Sequence, residues 1–235
     1  MAPQAGAWLL ALPITACGLR LDDETFRVAV GLRLGANICA PHRCPCGQQV
    51  SALGRHGLSC PRGFGRQARH GGTNDIIYRA LNKAGYPSIK EPSGLSRSDG
   101  KRPDGMTLIP WRSGRSLLWD STIVDTLAAS YLLDTSVAAG AAAEIAATRK
   151  RSKYLELSNT YEFVPLALET LGPINAAGTD FIRLLGRNLT LVSGDPRETT
   201  YLFQRLSANI QRFNAVAFKG TFPNIAHDSA TIPEY

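Results

Sequence analysis

Residues 102–124 read Arg102-Pro103-Asp104-Gly105-Met106-Thr107-Leu108-Ile109-Pro110-Trp111-Arg112-Ser113-Gly114-Arg115-Ser116-Leu117-Leu118-Trp119-Asp120-Ser121-Thr122-Ile123-Val124. Two aliphatic runs, 102–109 and 116–124, flank a Pro-Trp-Arg-Ser-Gly turn and read as two strands. Strand period is two, so Leu118, Asp120, Thr122 and Val124 share one face. A carboxylate in such apolar company is costly to bury unless something positive pairs with it. Asp104, at the start of the preceding strand, adds a second carboxylate and repulsion. A divalent cation would relieve both. Glu91, at the end of a strand over 86–90, can supply a third oxygen, and such hard-oxygen sites suit Mg²⁺ or Mn²⁺. The same residues also allow Asp104 to cap a turn and Asp120 to pair with an arginine such as Arg102.

Working outward, residues 66–84 carry Ile76, Ile77, Ala80 and Leu81 at helical spacing, with Gly85 as a stop. Residues 136–155 are Ala-rich with Glu, Arg and Lys and predict one helix through Gly140. Residues 161–168 predict a strand in which Pro165 demands an edge or a bulge. Helices over 175–186 and 196–218 follow, the second with Asp195 as N-cap and Pro196 in its first turn. A short helix over 22–34 opens on Asp22, Asp23 and Glu24, and the last 15 residues read as a loose tail. The order α-β-β-β-α-β plus C-terminal helices predicts an α/β fold with a mixed sheet.

Between the first two helices lies a cysteine cluster: Cys44-Pro45-Cys46, then His56, then Cys60. Three thiolates and one imidazole complete a tetrahedral zinc shell, and Gly47, Gly54 and Gly57 allow a tight wrap. Cys39 and His42 are alternative ligands. Four protein ligands leave no open position, so the expected role is structural. The five cysteines are odd in number and no signal peptide precedes them, which favours a reducing compartment over a disulfide framework. No apolar run reaches the length of a membrane span.

With 235 residues, 44% hydrophobic and 19% charged, the composition excludes a fully disordered or collagen-like chain. The net charge of +7 is concentrated: residues 61–115 hold 11 Lys/Arg against 4 Asp/Glu, and the rest balances at 15 against 15. Such a segment reads either as a polyanion-binding face or as a solvated Arg-rich region. Lys150 and Tyr154, at i and i+4, share a helix face from which Lys150 can reach the acids; a solvated basic stripe over Arg149, Lys150, Arg151 and Lys153 is the alternative. His70 and Asn74 are likewise i, i+4, positioned to contact DNA, to support Glu91, or to brace the helix start. Trp111 and Trp119 are either stacking platforms or core.

Pro103-Asp104 followed by Asp120-Ser121-Thr122 within αβββαβ resembles the PD-(D/E)xK superfamily of restriction-endonuclease-like nucleases. The upstream Cys/Cys/His/Cys knuckle, Arg69-His70, Arg102-Pro103-Asp104-Gly105 and Lys150…Lys153-Tyr154 make residues 39–218 similar to the C-terminal region of non-LTR retrotransposon polyproteins, which carry a reverse transcriptase. The resemblance implies a restriction-endonuclease-like core over 66–220, a zinc knuckle over 39–65, a helical lead-in over 1–38 and a tail over 221–235. It implies target-DNA nicking that supplies a 3′-hydroxyl primer, in the nucleus, with RNA as a further possible partner. Asp104 and Asp120 would be the metal-binding acids, Glu91 the accessory acid, and Lys150 and Tyr154 the (Q/K)xxxY helix. Arg66, Arg69, His70, Asn74, Lys101 and Arg102 would meet nucleic acid. Thr122 stands where the family usually has lysine, so Lys150 or Lys153 would take that role, and the Cys44–Cys46 gap is shorter than usual. A catalytically inactive nucleic-acid-binding module is the competing expectation, and a structural domain of a larger polyprotein is another.

Overall fold

The computed structural model describes residues 2, 4–95, 100 and 102–223. In chain order its elements are α1 (Asp23–Leu34), β1 (His42–Arg43), β2 (Gln49–Val50), α2 (His56–Ser59), α3 (Phe64–Lys83), β3 (Ser88–Lys90), β4 (Gly105–Thr107), β5 (Leu117–Val124), α4 (Leu132–Val137), α5 (Ala141–Lys153), β6 (Glu162–Glu169), α6 (Ala176–Ser193) and α7 (Glu198–Lys219). Among the described residues this is a mixed α/β fold of seven α-helices and two sheets, with a cysteine-rich cluster near the N-terminus.

The main sheet has the order β3-β4-β5-β6. β3, β4 and β5 are antiparallel neighbours, and β6 runs parallel to β5 from Leu117↔Glu162 to Val124↔Glu169. A parallel pair needs a crossover, and α4 and α5 provide it. Pro165 lies in β6, the outer strand of this order, where a missing N–H is tolerated.

Both faces of β5 are covered, which is why its first five residues are all buried. Leu117 and Trp119 join Ile77 and Leu81 of α3, Phe181, Ile182 and Leu185 of α6, and Leu202, Phe203 and Leu206 of α7 in the principal core. Ala143, Ala146 and Ala147 of α5 pack with Ala167 of β6, small side chains that let the helix lie close to the sheet. Trp111 and Trp119 are both buried in the principal core, so the stacking role is excluded for them.

The expected single helix over 136–155 is two. Gly140 adopts φ +93° as the N-cap of α5, and Ala138 is extended, so the chain turns there. Glycine's freedom at positive φ outweighed the alanine-rich propensity. α6 continues to Ser193, beyond the expected end at 186. Asp195 caps the turn before α7 by accepting the Arg197 amide at 2.8 Å, rather than serving as the helix N-cap.

α7 is the hub. The Ala7–Leu10 turn, α1, α2, α3 and α6 all pack on it. The Trp8 amide donates to Ser207 Oγ, and Arg33 donates to Gln211 Oε1, Ala5 O and Leu171 O. The expected tail begins as ordered core: Thr221 is buried and Phe222 stacks on His42. Residues 224–235 of that tail, and Lys101, lie outside the described residues. No helix among the described residues is long and apolar enough to cross a membrane.

Gly105 pairs with Trp119, and a Cβ there would lie 2.1 Å from the Trp119 ring, itself fully buried. Gly105→Ala is expected to destabilise the protein by about 1–3 kcal/mol through overpacking, read as a lower urea midpoint with unchanged m-value.

Candidate active site and metal centre

Asp104 immediately precedes β4 and Asp120 directly follows Trp119, the partner of Gly105, so the two acids lie near one another where β4 begins. The Asp104 amide donates to Trp119 O, so Asp104, like its neighbour Gly105, is set against Trp119. Asp120 is 3% exposed, with the Lys150 amine of α5 at 2.7 Å from its Oδ2. Asp104 Oδ2 accepts from the Ser121 amide (2.6 Å) and bonds His70 Nε2 of α3 (3.0 Å). In the row His70, Asp104, Asp120, Lys150 two adjacent carboxylates are therefore bracketed by two nitrogens, His70 from α3 and Lys150 from α5.

These environments split the two acids. Burial raises Asp120 most; Lys150 opposes this and Asp104 adds repulsion, so Asp120 stays above the ordinary 3.8. Burial also raises Asp104, but the His70 bond and charge and the Ser121 amide outweigh it, so Asp104 lies below that value. The Asp104 hydrogen bond raises His70 above its ordinary 6.5, against the effect of burial. Two carboxylates pushed apart in this way are equipped for different tasks.

The other sequence-derived residues distribute unevenly. Lys153 donates to the Tyr154 hydroxyl at 2.8 Å, and its charge also lowers Asp120. Tyr154 is buried, with its ring against Phe163. Glu91, read as the accessory acid, is turned outward: its side chain is 64% exposed and ion-paired with Arg102. Its positive φ of 49° turns the chain at the end of β3. Among the described residues no third His, Cys, Asp or Glu joins Asp104 and Asp120 within 4.8 Å. The pairing of Arg102 with Glu91 also replaces the alternative of Arg102 on Asp120.

Asn74, read as a nucleic-acid contact, is a buried strut. Its Oδ1 accepts from Trp119 Nε1 (3.2 Å) and Ser121 Oγ (2.6 Å), locking α3 to β5. Arg69, read the same way, is 2% exposed and donates to Asn214 Oδ1 and Leu58 O. It ties α3 to α7 and to the cysteine-rich segment. Arg66 is exposed. The role of Ser121 was not read from the sequence, although it directly follows Asp120; a main-chain donor gives no compositional signal.

The second centre is the cysteine cluster. Cys44 Sγ lies 3.7 Å from Cys60 Sγ and Cys46 Sγ lies 3.1 Å from His56 Nε2; all four ligand atoms fall within 4.8 Å of one another. Two sulfurs on a tetrahedral ion at about 2.3 Å would stand about 3.8 Å apart. Without an ion, burial pushes the Cys44 thiol up to about 11, so a thiolate there calls for a cation. The four residues can therefore hold a metal such as zinc. Cys39 and His42 are placed otherwise: Cys39 Sγ faces Ser51 O and Ala52 O, and His42 bonds Thr221 Oγ1 and stacks on Phe222 at 4.0 Å. All five cysteines are free thiols.

The cluster is not a detached finger. A Cβ on Gly57 would meet the Phe218 backbone at 2.8 Å, and Leu58 is buried against Ala215 and Phe218. No family model matches the sequence, and no curated protein matches it.

Cys44→Ser and Cys60→Ser are expected to lose the bound metal, whereas Cys39→Ser and His42→Ala retain one per chain, read as metal content after gel filtration. Because the folded-state value of His70 is raised, its pair with Asp104 stabilises the fold fully below pH 6.5 and loses that contribution as pH rises through the raised value. Asp104→Asn should return His70 towards 6.5, followed by the NMR titration of its ring protons.

Proposed function

We propose that the chain is a metal-dependent DNA endonuclease of the PD-(D/E)xK type, carrying a structural zinc ion on Cys44, Cys46, His56 and Cys60. The run α3-β3-β4-β5-α4-α5-β6 agrees with the αβββαβ order of that core when α4 and α5 are taken together as the crossover. The observation that carries the reading is the Lys150 amine 2.7 Å from Asp120, with Asp104 near enough for its charge to act on Asp120. In this reading an amine from α5 stands in for the strand lysine that Thr122 replaces.

Two carboxylates fit Mg²⁺ or Mn²⁺, which commonly takes one or two protein acids and fills its shell with water and phosphate oxygens. The chemistry supplied by such an ion on Asp104 and Asp120 is polarisation of a phosphodiester and a water of lowered pKa. His70 and the Ser121 amide hold Asp104 in its ionised form and fixed orientation. Lys150 has three donors; held by Asp120, it can orient an attacking water and offset charge building on the phosphoryl oxygens. Lys153 supplies further positive charge from the same helix end, with Tyr154 anchoring that end in the core. In this reading the substrate class is DNA and the chain acts in the nucleus. The origin proposed is the C-terminal part of a retrotransposon polyprotein that also carries a reverse transcriptase.

A second reading has its own observation. Glu91 facing solvent and Thr122 in the lysine position favour a nucleic-acid-binding module without cleavage.

Plasmid nicking in Mg²⁺ or Mn²⁺ separates the two. The expected result is nicking by the wild type, loss to background in Asp120→Asn, and a drop of about 100-fold in Lys150→Ala. Equal nicking by the wild type and Asp120→Asn removes the nuclease assignment.

A further inference from the structure

Beside the acidic row, an open cleft of about 370 Å³ lies between the first turns of α3 and the second half of β5. Arg66, Gln67, Arg69 and His70 of α3 form one wall, and Thr122 and Ile123 of β5 the other. Its chemistry is lopsided: two guanidiniums, an imidazole, a carboxamide and a hydroxyl, with no carboxylate in its lining.

Arg69 is the unusual member. Its guanidinium is almost wholly buried, yet among the described residues no carboxylate lies within ion-pairing distance of it or of Arg66. Its two terminal nitrogens serve neutral acceptors, Asn214 Oδ1 and Leu58 O, and its Nε is buried without a partner. Burial pulls its pKa down to about 10; Asp125 opposes this from further off, and Arg66 adds like-charge repulsion. A buried cation without a counter-ion is expensive. Here a second cation faces the same cleft, and an anion seated there would satisfy both.

We propose that this cleft seats a backbone phosphate of a nucleic-acid strand. Arg66 and Gln67 would contact the phosphate oxygens, Thr122 would donate from the opposite wall, and the buried charge of Arg69 would act through the cleft floor. His70 is shared: it lines the cleft and bonds Asp104 at 3.0 Å. A phosphate held in the cleft is thus next in line to one placed at Asp104 and Asp120. That last step rests on the nuclease reading; the phosphate seat itself does not. The position of Thr122 gains a use, since a lysine there would crowd the cleft that a short hydroxyl leaves open.

The test is DNA binding by the full metal-loaded chain with no added divalent cation, followed by fluorescence anisotropy of a labelled duplex across a series of KCl concentrations. Each phosphate contact contributes about 0.9 to the slope of log K against log[salt]. Arg66→Ala should flatten the slope by about that amount and weaken binding about tenfold at low salt. Arg79→Ala, on the same helix but 77% exposed and paired with Asp75, should leave the slope unchanged. Inorganic phosphate should raise the thermal midpoint of the wild type and not of Arg66→Ala. Equal slopes for Arg66→Ala and wild type overturn the proposal, as does an equal loss in Arg79→Ala, which would mean diffuse attraction. An Arg66-dependent thermal shift with no change in DNA slope overturns the backbone assignment in favour of free phosphate. A flattened slope in a protein that never nicks plasmid supports the phosphate seat while the nuclease reading fails.

Discussion

Two carboxylates lie close together at the start of β4, and neither is tolerable there alone. Neighbouring like charges repel, and burial removes the water that would screen them. The structure meets the problem with cations from both sides of the sheet: Lys150 from α5 on Asp120, His70 from α3 on Asp104. Much of the surrounding architecture follows from that need. α5 must lie close enough for an amine to reach the strand, and its alanine face permits it. α3 must be held in rotation so that His70 points at Asp104, and Asn74, one turn on, fixes it by gripping Trp119 and Ser121.

The cysteine-rich segment belongs to the same mechanical unit. Leu58 O receives Arg69 of α3, Gly57 lies against the α7 backbone, and His42 is stacked on Phe222 just past that helix. Cys60 precedes the first residue of α3 by only a Pro-Arg-Gly link. An ion on the four ligands would set where α3 begins, and through α3 the orientation of His70. α3 thereby connects the cysteine cluster to the acidic row, although the two share no ligand.

What the sequence revealed divides along a physical line. Period-two alternation and a single charged residue in an apolar strand were enough to put Asp120 on an inner face, and i, i+4 spacing put Lys150 and Tyr154 on one side of α5. The four metal ligands were legible because their chemistry is rare and their spacing short. The failures concern direction. Arg69 and Asn74 look like surface residues in sequence, but α3 is rich in glycine and weakly amphipathic, so nothing in its pattern says which side is inside. Glu91 sits where an accessory acid would be expected, and a positive φ turns it to solvent. Gly140 was read against its alanine neighbours, whereas one backbone angle decides that position. Charge counting marked 61–115 as basic without separating Arg66, which faces a cleft, from Arg69, which lies beneath it. The family resemblance rests on motif order alone.

The position of α7 as the hub has a consequence for biosynthesis. The lead-in turn, α1, the cysteine segment and α3 all wait for a partner that is made well after them. Between the synthesis of Cys60 and that of Phe218 lie roughly 160 residues, or about 10–30 s at ordinary translation rates. During that interval the nascent chain has four closely spaced thiols and an unfinished apolar surface, and this part of the fold closes only once α7 has emerged from the ribosome.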